Sequence, residues 1–233
     1  MSTTVSAFPV PALRRLGERP GRFLATRPAR LLAWLAGLVP FAYLAWQLWR
    51  AWNGEPHTLG REPVKGLEHA TGDQAIRFLL FTLAVTPVRQ LTGWNWLAKY
   101  RRILGLLMFV YATAHLATFV ALDLELDFSD IVREIAKRPY ITIGFTAWLL
   151  LLPLALTSTA ASIRRLGGRT WNRLHWLTYA VAPLGILHYW WSQKKDHSEP
   201  LLWGLGFVAV FAWRVWWARP VRRQSVNSVS SGK

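Results

Sequence analysis

Six apolar stretches, each about as long as a transmembrane helix, restrict this chain to folds that suit a lipid bilayer. An α-helix needs about 20 mostly apolar residues to cross the hydrocarbon core. Hydrophobic residues make up 52% of the chain, and Trp, which is enriched where a bilayer meets water, occurs 15 times. We therefore predict an all-α integral membrane protein, a bundle of six transmembrane helices. The predicted spans are residues 31–49, 73–92, 103–122, 141–157, 171–191 and 201–217.

The basic residues are concentrated in alternate segments between the spans. The chain carries 28 Lys+Arg against 12 Asp+Glu, a net charge of +16. The intervening loops carry only two or three basic residues each, largely offset by acids. By the positive-inside rule the basic segments lie in the cytoplasm, which places both termini there and argues against a nucleic-acid partner. The basic segments contain Arg14, Arg15, Arg19, Arg22, Arg27 and Arg30; Arg89, Lys99, Arg101 and Arg102; Arg164, Arg165, Arg169 and Arg173; and Arg219, Arg222, Arg223 and Lys233.

The sequence divides into three segments. Residues 1–28 are polar and rich in Arg, and residues 220–233 are basic and rich in Ser, so we expect both to be disordered cytoplasmic tails. Residues 29–219 form the predicted transmembrane domain. No apolar core with a small-residue cleavage site lies in the first segment, so no cleaved signal peptide is predicted. The span at residues 73–92 is less apolar than the first, and a re-entrant segment is its alternative.

Two histidines lie at similar depths on different predicted spans. A buried polar ring is costly in lipid without a partner, so an intramembrane histidine indicates function. His115 follows Arg102 by 13 residues, which places it roughly 20 Å from the cytoplasmic end at about 1.5 Å per residue. His188 follows Arg173 by 15 residues, or roughly 22 Å. A lone histidine is more often a hydrogen-bonded packing residue, but this matched pair predicts one haem b held by both imidazoles.

A third histidine, His175, lies near the cytoplasmic end of the fifth span. On an undistorted helix it would lie about 140° around the axis from His188, because each residue turns the helix by about 100°. Pro183 lies between the two and can distort the helix. The third span carries Arg101 where an inner ligand would be expected, so the number of haems stays open between one and two.

Arg77 lies about one turn into the second span, at the predicted height of the outer haem. Two interpretations of this cation are equally open. It is either a fixed partner for a haem propionate or a side chain that extends out to the membrane interface.

Several sequence blocks resemble a known family. They are RRILGLLMFVYATAH (residues 101–115), RPY (138–140), TST (157–159) and LHWLTYAVAPLGILHYWW (174–191). Together they are similar to MsrQ (older name YedZ), the family of haem-binding membrane subunits of the bacterial protein-methionine-sulfoxide reductase system, within the wider ferric-reductase-like transmembrane group. The likeness covers about residues 31–217. It implies that His115, His175 and His188 bind haem, since histidines on the third and fifth spans do so in that group.

The resemblance also implies a role. A member of this family sits in the bacterial inner membrane and passes electrons to a periplasmic molybdopterin-containing catalytic subunit, which reduces methionine sulfoxide in oxidised envelope proteins. Its proposed donors are the quinone pool and a cytoplasmic flavin reductase, and the family is described as binding FMN. This sequence has no G-x-G-x-x-G within a Rossmann pattern, so its electrons must come from a partner or from quinol. The catalytic sulfoxide site is expected on the partner, and none is predicted on this chain.

Two other functions remain open. A ferric or quinone reductase-type cytochrome b would act without a sulfoxide reductase partner. A proton-coupled transporter would use the buried histidines as a relay, although the spans contain almost no Asp or Glu and no evident inverted repeat. The chain has no Cys, which excludes disulfides, thiolate-bound iron–sulfur clusters and thiol catalysis.

Overall fold

A computed structural model describes residues 11–194 and 196–230, with the side chains of residues 16–17, 20–194 and 196–217. All regular structure in this part of the chain is helical, with no β-strand. A 3₁₀ turn, Asn95–Leu97, precedes the fourth of its ten α-helices, and a π-helical turn, Phe119–Asp123, follows it. The helices are α1 (Pro11–Leu24), α2 (Arg27–Trp52), α3 (Pro63–Thr92), α4 (Ala98–Thr118), α5 (Phe128–Lys137), α6 (Pro139–Leu156), α7 (Ala160–Leu166), α8 (Gly168–His175), α9 (Thr178–Ser192) and α10 (Ser198–Ser230).

Among the described residues, four helical segments have the length and apolar character needed to cross a membrane. In each of them only 11–33% of the most apolar window is covered by other parts of the chain. Exposed apolar surface on this scale is suited to lipid rather than to water, so the chain is a multi-pass membrane protein. The four segments match the first, third, fourth and sixth predicted spans; they are Arg27–Trp52, Asn95–Asp123, Pro139–Leu156 and Ser198–Trp217.

The second predicted span lies within α3, which begins ten residues earlier, at Pro63. α3 is one continuous helix of 30 residues, which differs from a re-entrant segment. It is not among the four apolar segments, but at about 1.5 Å per residue its length of roughly 45 Å is enough to cross a bilayer. Its first half carries four charged residues, namely Lys65, Glu68, Asp73 and Arg77.

The fifth predicted span, residues 171–191, is not one helix, and the prediction of a continuous helix there is wrong. The chain forms α8, which ends at His175, and α9, which begins at Thr178. At the junction the N–H groups of Trp176 and Leu177 bond to carbonyls three residues earlier, at 3.2 and 3.1 Å, and this tighter turn interrupts the α-helical ladder. The break falls where the composition changes, because α8 is polar and basic whereas α9 is largely apolar.

α3 and α4 form the centre of the bundle. They contain some of the most deeply buried side chains, Leu83, Leu107 and Tyr111. The Tyr111 hydroxyl donates a hydrogen bond of 2.8 Å to the carbonyl of Gly37 in α2, and its ring stacks on Phe78 of α3 with 5.3 Å between centroids. Tyr111 thus joins three helices. The apolar core around Leu83 also includes side chains of α6, α9 and α10, namely Leu151, Leu154, Val181, Ala182 and Phe207.

Helices occupy parts of both segments for which the sequence predicts disordered tails. α1 lies within residues 1–28, and α10 continues past Pro220 to Ser230. The disorder expected for the two tails stays a prediction. The prediction for residues 1–10 and 231–233 falls outside the described residues.

The Tyr111 hydroxyl provides a test of this packing. We expect Tyr111→Phe to lower the free energy of unfolding by about 1 kcal/mol, because a buried hydrogen bond between α4 and α2 is lost. Thermal unfolding in detergent, followed by circular dichroism, measures the change. The matched control is Tyr43→Phe, which removes an exposed hydroxyl 3.2 Å from Thr58 Oγ1 and should change little. Equal losses of stability in the two variants would contradict a stabilising role for the Tyr111 hydrogen bond.

Candidate haem-binding site

The structure brings the rings of His115 and His188 together inside the bundle. Their centroids lie 5.9 Å apart, with an angle of 74° between the ring planes. His115 lies near the end of α4, and its Nδ1 is 2.8 Å from the backbone carbonyl of Glu68 in α3. His188 lies in α9, and its Nδ1 is 2.7 Å from the carbonyl of Tyr140 in α6. Four helices therefore contribute to one histidine pair.

The two backbone contacts determine the tautomer of each ring. A carbonyl oxygen only accepts hydrogen bonds, so Nδ1 must carry the proton in His115 and in His188. In a neutral ring the lone pair is then on Nε2, which is the form that binds a metal while the other nitrogen fixes the orientation of the ring. The site thus presents two imidazoles, each held in one orientation by its backbone contact.

The spacing of the pair fits one metal ion between the rings. With metal–nitrogen bonds of ~2 Å and about 1 Å from each nitrogen to its ring centre, two imidazoles that face one ion from opposite sides have centroids about 6 Å apart. The observed 5.9 Å agrees with this. No group of three or more His, Cys, Asp or Glu side chains within the described ranges could hold a metal. Two imidazoles alone suit a metal whose other ligands come with it, as they do in haem.

Two glycines allow neighbouring helices to lie directly against the histidine rings. A Cβ atom on Gly72 of α3 would lie 3.2 Å from His115 Nδ1. A Cβ atom on Gly144 of α6 would lie 2.6 Å from His188 Nδ1, closer than real Cβ contacts. The absence of side chains at these two positions therefore lets each ring reach its carbonyl partner.

His175 lies apart from this pair, at the end of α8. Its Nε2 is 3.2 Å from the hydroxyl oxygen of Thr157, and its ring stacks on Trp171 with centroids 3.8 Å apart. It lines a cavity of about 370 Å³ that neither His115 nor His188 lines. Because the helix breaks after His175, the angle expected from an undistorted helix does not apply here.

The cavity beside His175 is rich in cations and aromatic rings. Arg101 and Arg102 of α4 line it together with Trp171 and Tyr179. Arg214 of α10 is close by, since it donates to the Tyr179 hydroxyl at 2.5 Å, and its buried Nε has no hydrogen-bond partner among the described residues. No described carboxylate forms an ion pair with Arg101, Arg102 or Arg214. An anionic group would therefore be stabilised here.

Arg77 lies on α3 and is partly buried. Its guanidinium carbon is 5.7 Å from the ring centre of Trp203 in α10, a favourable cation–π distance. Both interpretations of Arg77, as a propionate partner and as an interfacial cation, stay predictions.

The most important contacts of the pair leave little trace in the sequence. The carbonyls of Glu68 and Tyr140 are backbone groups, so no residue type marks them. Gly144 gives a weak signal, because it interrupts the uniformly apolar fourth span. Gly72 gives another, because it lies at the mouth of the second span.

The fold and the histidine pair define a class of protein, a multi-pass membrane protein that holds two imidazoles in its helical bundle. The family described as ferric reductase like transmembrane component matches residues 71–186. This range contains His115 and His175 and ends two residues before His188.

The chain belongs to the MsrQ family, as the sequence blocks indicate. A protein of Xanthomonas euvesicatoria pv. vesicatoria (strain 85-10), named protein-methionine-sulfoxide reductase heme-binding subunit MsrQ, is 50% identical over 199 residues, which cover 85% of this chain and 91% of that protein. A protein of the same name from Herminiimonas arsenicoxydans is 41% identical over 203 residues, which cover 86% and 89%. The predicted family is thereby confirmed. No solved structure matches the chain.

The Gly144 contact provides a second test. We expect Gly144→Ala to lower the free energy of unfolding by about 1–3 kcal/mol, because the added methyl group would overlap the His188 ring and push it away from the Tyr140 carbonyl. The matched control is Gly105→Ala, whose Cβ would meet only Thr82 Cγ2, at an ordinary 3.7 Å. Thermal melts of both variants, prepared alike, give the comparison. A Gly144 variant as stable as the Gly105 variant would show that the ring is not held as described.

Proposed function

We propose that this protein is a membrane cytochrome b that passes electrons to a periplasmic molybdopterin-dependent protein-methionine-sulfoxide reductase, for the repair of oxidised envelope proteins. The observation that carries the proposal is the pair of oriented imidazoles, His115 and His188, at a separation that suits one iron. Relatives that cover most of the chain are named heme-binding subunits of protein-methionine-sulfoxide reductase. Haem, when bound, supplies a one-electron couple whose potential depends on its axial ligands and burial.

The residues of this chain have separate tasks in the proposed site. His115 and His188 would hold the haem iron through their Nε2 atoms. The carbonyls of Glu68 and Tyr140 hold the two rings in the tautomer that leaves Nε2 free, and thereby raise the basicity of each ligand. Arg77 is proposed to pair with a haem carboxylate as a fixed cation.

We propose a second cofactor position in the cavity lined by His175. The cations Arg101, Arg102 and Arg214 suit an anionic group, and the rings of Trp171 and Tyr179 suit a flat aromatic body. A second haem, with His175 as one ligand, and FMN both have this chemistry. This position lies on the side of the bundle that the basic residues assign to the cytoplasm, where the quinone pool or a cytoplasmic flavin reductase would deliver electrons.

The proposed topology keeps six crossings and both termini in the cytoplasm of a bacterium, with the protein in its inner membrane. α3 supplies the second crossing. α9, preceded by α8, supplies the fifth, and at 15 residues α9 is roughly 22 Å long, so α8 must complete the crossing at the cytoplasmic surface. In this proposal the transmembrane domain comprises residues 29–219.

The match to the ferric reductase like family favours one alternative, a ferric or quinone reductase that acts without a sulfoxide reductase partner. A proton-coupled transporter is disfavoured, because both Nδ1 atoms of the histidine pair bond to backbone carbonyls rather than to groups that exchange protons. Mixing the reduced protein with a molybdopterin-dependent sulfoxide reductase separates the first two, since only the proposed function predicts its reoxidation.

The haem assignment is tested by spectroscopy on single-histidine variants. Reduced-minus-oxidised spectra and a pyridine haem assay should show haem b in the wild type. We expect His115→Ala and His188→Ala each to abolish the outer haem, because each removes an axial ligand, and His175→Ala to leave that haem in place. His57→Ala, in the loop between α2 and α3, is the control and should keep the full spectrum. Haem-replete wild type without a haem spectrum would refute the proposal.

The second cofactor position is tested by measuring the haem and flavin content of purified variants. We expect His175→Ala and Arg101→Gln to lower either the haem-to-protein ratio or the flavin released by acid extraction, because each removes a group that would contact the cofactor. A fall in haem alone identifies a second haem, and a fall in flavin alone identifies FMN. Arg133→Gln, on the exposed side of α5, is the control. Unchanged haem and flavin in both cavity variants would contradict a cofactor in this cavity.

A further inference from the structure

The short helix α5 has an outward surface that is divided lengthwise into two strips. One strip is apolar and consists of Phe128, Val132 and Ala136. The adjacent strip is polar and consists of Ser129, Arg133 and Lys137. All six residues are exposed, Phe128 to 78% and Val132 to 51%. Because residues four apart lie above one another on a helix, the border between the strips runs parallel to the helix axis.

The other side of α5 faces the bundle. Ile131 and Ile135 are only partly exposed, and α5 packs against α6. Packing within the molecule therefore covers only part of the apolar surface of α5. No described part of the chain covers the apolar strip of Phe128, Val132 and Ala136.

The connections of α5 fix its level relative to the membrane. One membrane-crossing segment ends at Asp123 and the next begins at Pro139. Only residues 124–127 separate the first of these from α5, which limits the gap to roughly 14 Å of extended chain. Only Arg138 separates α5 from the second. A helix attached this closely to the ends of two spans must lie at the surface of the bilayer.

Two pairs of oppositely charged side chains lie along this segment. Arg133 bonds to Asp130 and Arg138 to Glu134, each at 2.6 Å. Asp127 caps the first turn of α5, where the backbone N–H of Asp130 holds the pKa of the Asp127 carboxyl below its usual range. With two acids and two bases, α5 itself carries no net charge. This surface therefore offers little for a partner that docks by charge.

The turn before α5 directs another apolar side chain outward. Glu125 and Leu126 both have left-handed backbone conformations, with φ of 49° and 62°, which residues other than Gly rarely adopt. Leu126 is 67% exposed in this turn. Such a conformation has an energetic cost, and transfer of the exposed Leu126 side chain into an apolar medium would offset part of it.

We propose that α5 is an interfacial helix that lies flat on the bilayer, with Leu126, Phe128 and Val132 in the boundary between acyl chains and headgroups and with Arg133 in water. A flat boundary between lipid and water is the partner that matches a straight border between an apolar and a polar strip. Because the helix has no net charge, zwitterionic lipid is sufficient.

This anchoring bears on the histidine pair. α5 ends three residues before Tyr140, whose carbonyl orients His188. Holding α5 at the bilayer surface fixes the depth of that carbonyl.

The proposal is tested with nitroxide spin labels, for which the absence of Cys from the chain is an advantage. Single cysteines replace Phe128 and Val132 on the apolar strip, with Ser129 and Arg133 on the polar strip as matched controls. The full chain is placed in phosphatidylcholine nanodiscs, and collisions of each label with oxygen and with a water-soluble nickel complex are measured. We expect oxygen to dominate at Phe128→Cys and Val132→Cys, and nickel to dominate at Ser129→Cys and Arg133→Cys.

Two results would overturn the proposal. Nickel accessibility at all four positions would place α5 in water. Protection of Phe128→Cys and Val132→Cys from both reagents would mean that a second copy or another protein covers the strip. The expected pattern should be the same in haem-free protein and at high salt, so the test is independent of the proposed electron-transfer function.

Discussion

Two hydrogen bonds to backbone carbonyls organise the site at the centre of this protein. They join α4 to α3 through His115 and α9 to α6 through His188. Each bond satisfies one nitrogen of a ring that would be costly to leave unpaired in lipid, and each leaves the other nitrogen available. The same contacts thus stabilise the packing of four helices and prepare a ligand set. Removing a ring would affect the fold and the site together.

The close packing of α3 with α4 and of α6 with α9 makes these bonds possible. Glycines at positions 72 and 144 let two helices approach the rings, and Tyr111 holds α2 against the same core. The cavity beside His175 lies outside this tightly packed region and is bordered by cations without acidic partners among the described residues. The molecule therefore combines a rigid histidine pair with an open, positively charged chamber.

Much of this arrangement could be predicted from the sequence. The basic residues mark the cytoplasmic end of each span, so the number of residues from that end predicts a similar depth for His115 and His188. In the structure the centroids of their rings lie 5.9 Å apart. The break between α8 and α9 could not be predicted by averaging hydropathy over residues 171–191, because the apolar α9 conceals the polar α8. The carbonyl partners of the histidines could not be predicted either, since a backbone acceptor depends on how helices pack and not on residue type.

The break at Trp176 and Leu177 has a mechanical consequence. A continuous helix would transmit any tilt or rotation of its cytoplasmic end directly to His188. With the α-helical ladder interrupted at these two residues, a displacement of α8 is transmitted less directly to α9 and to the ring of His188.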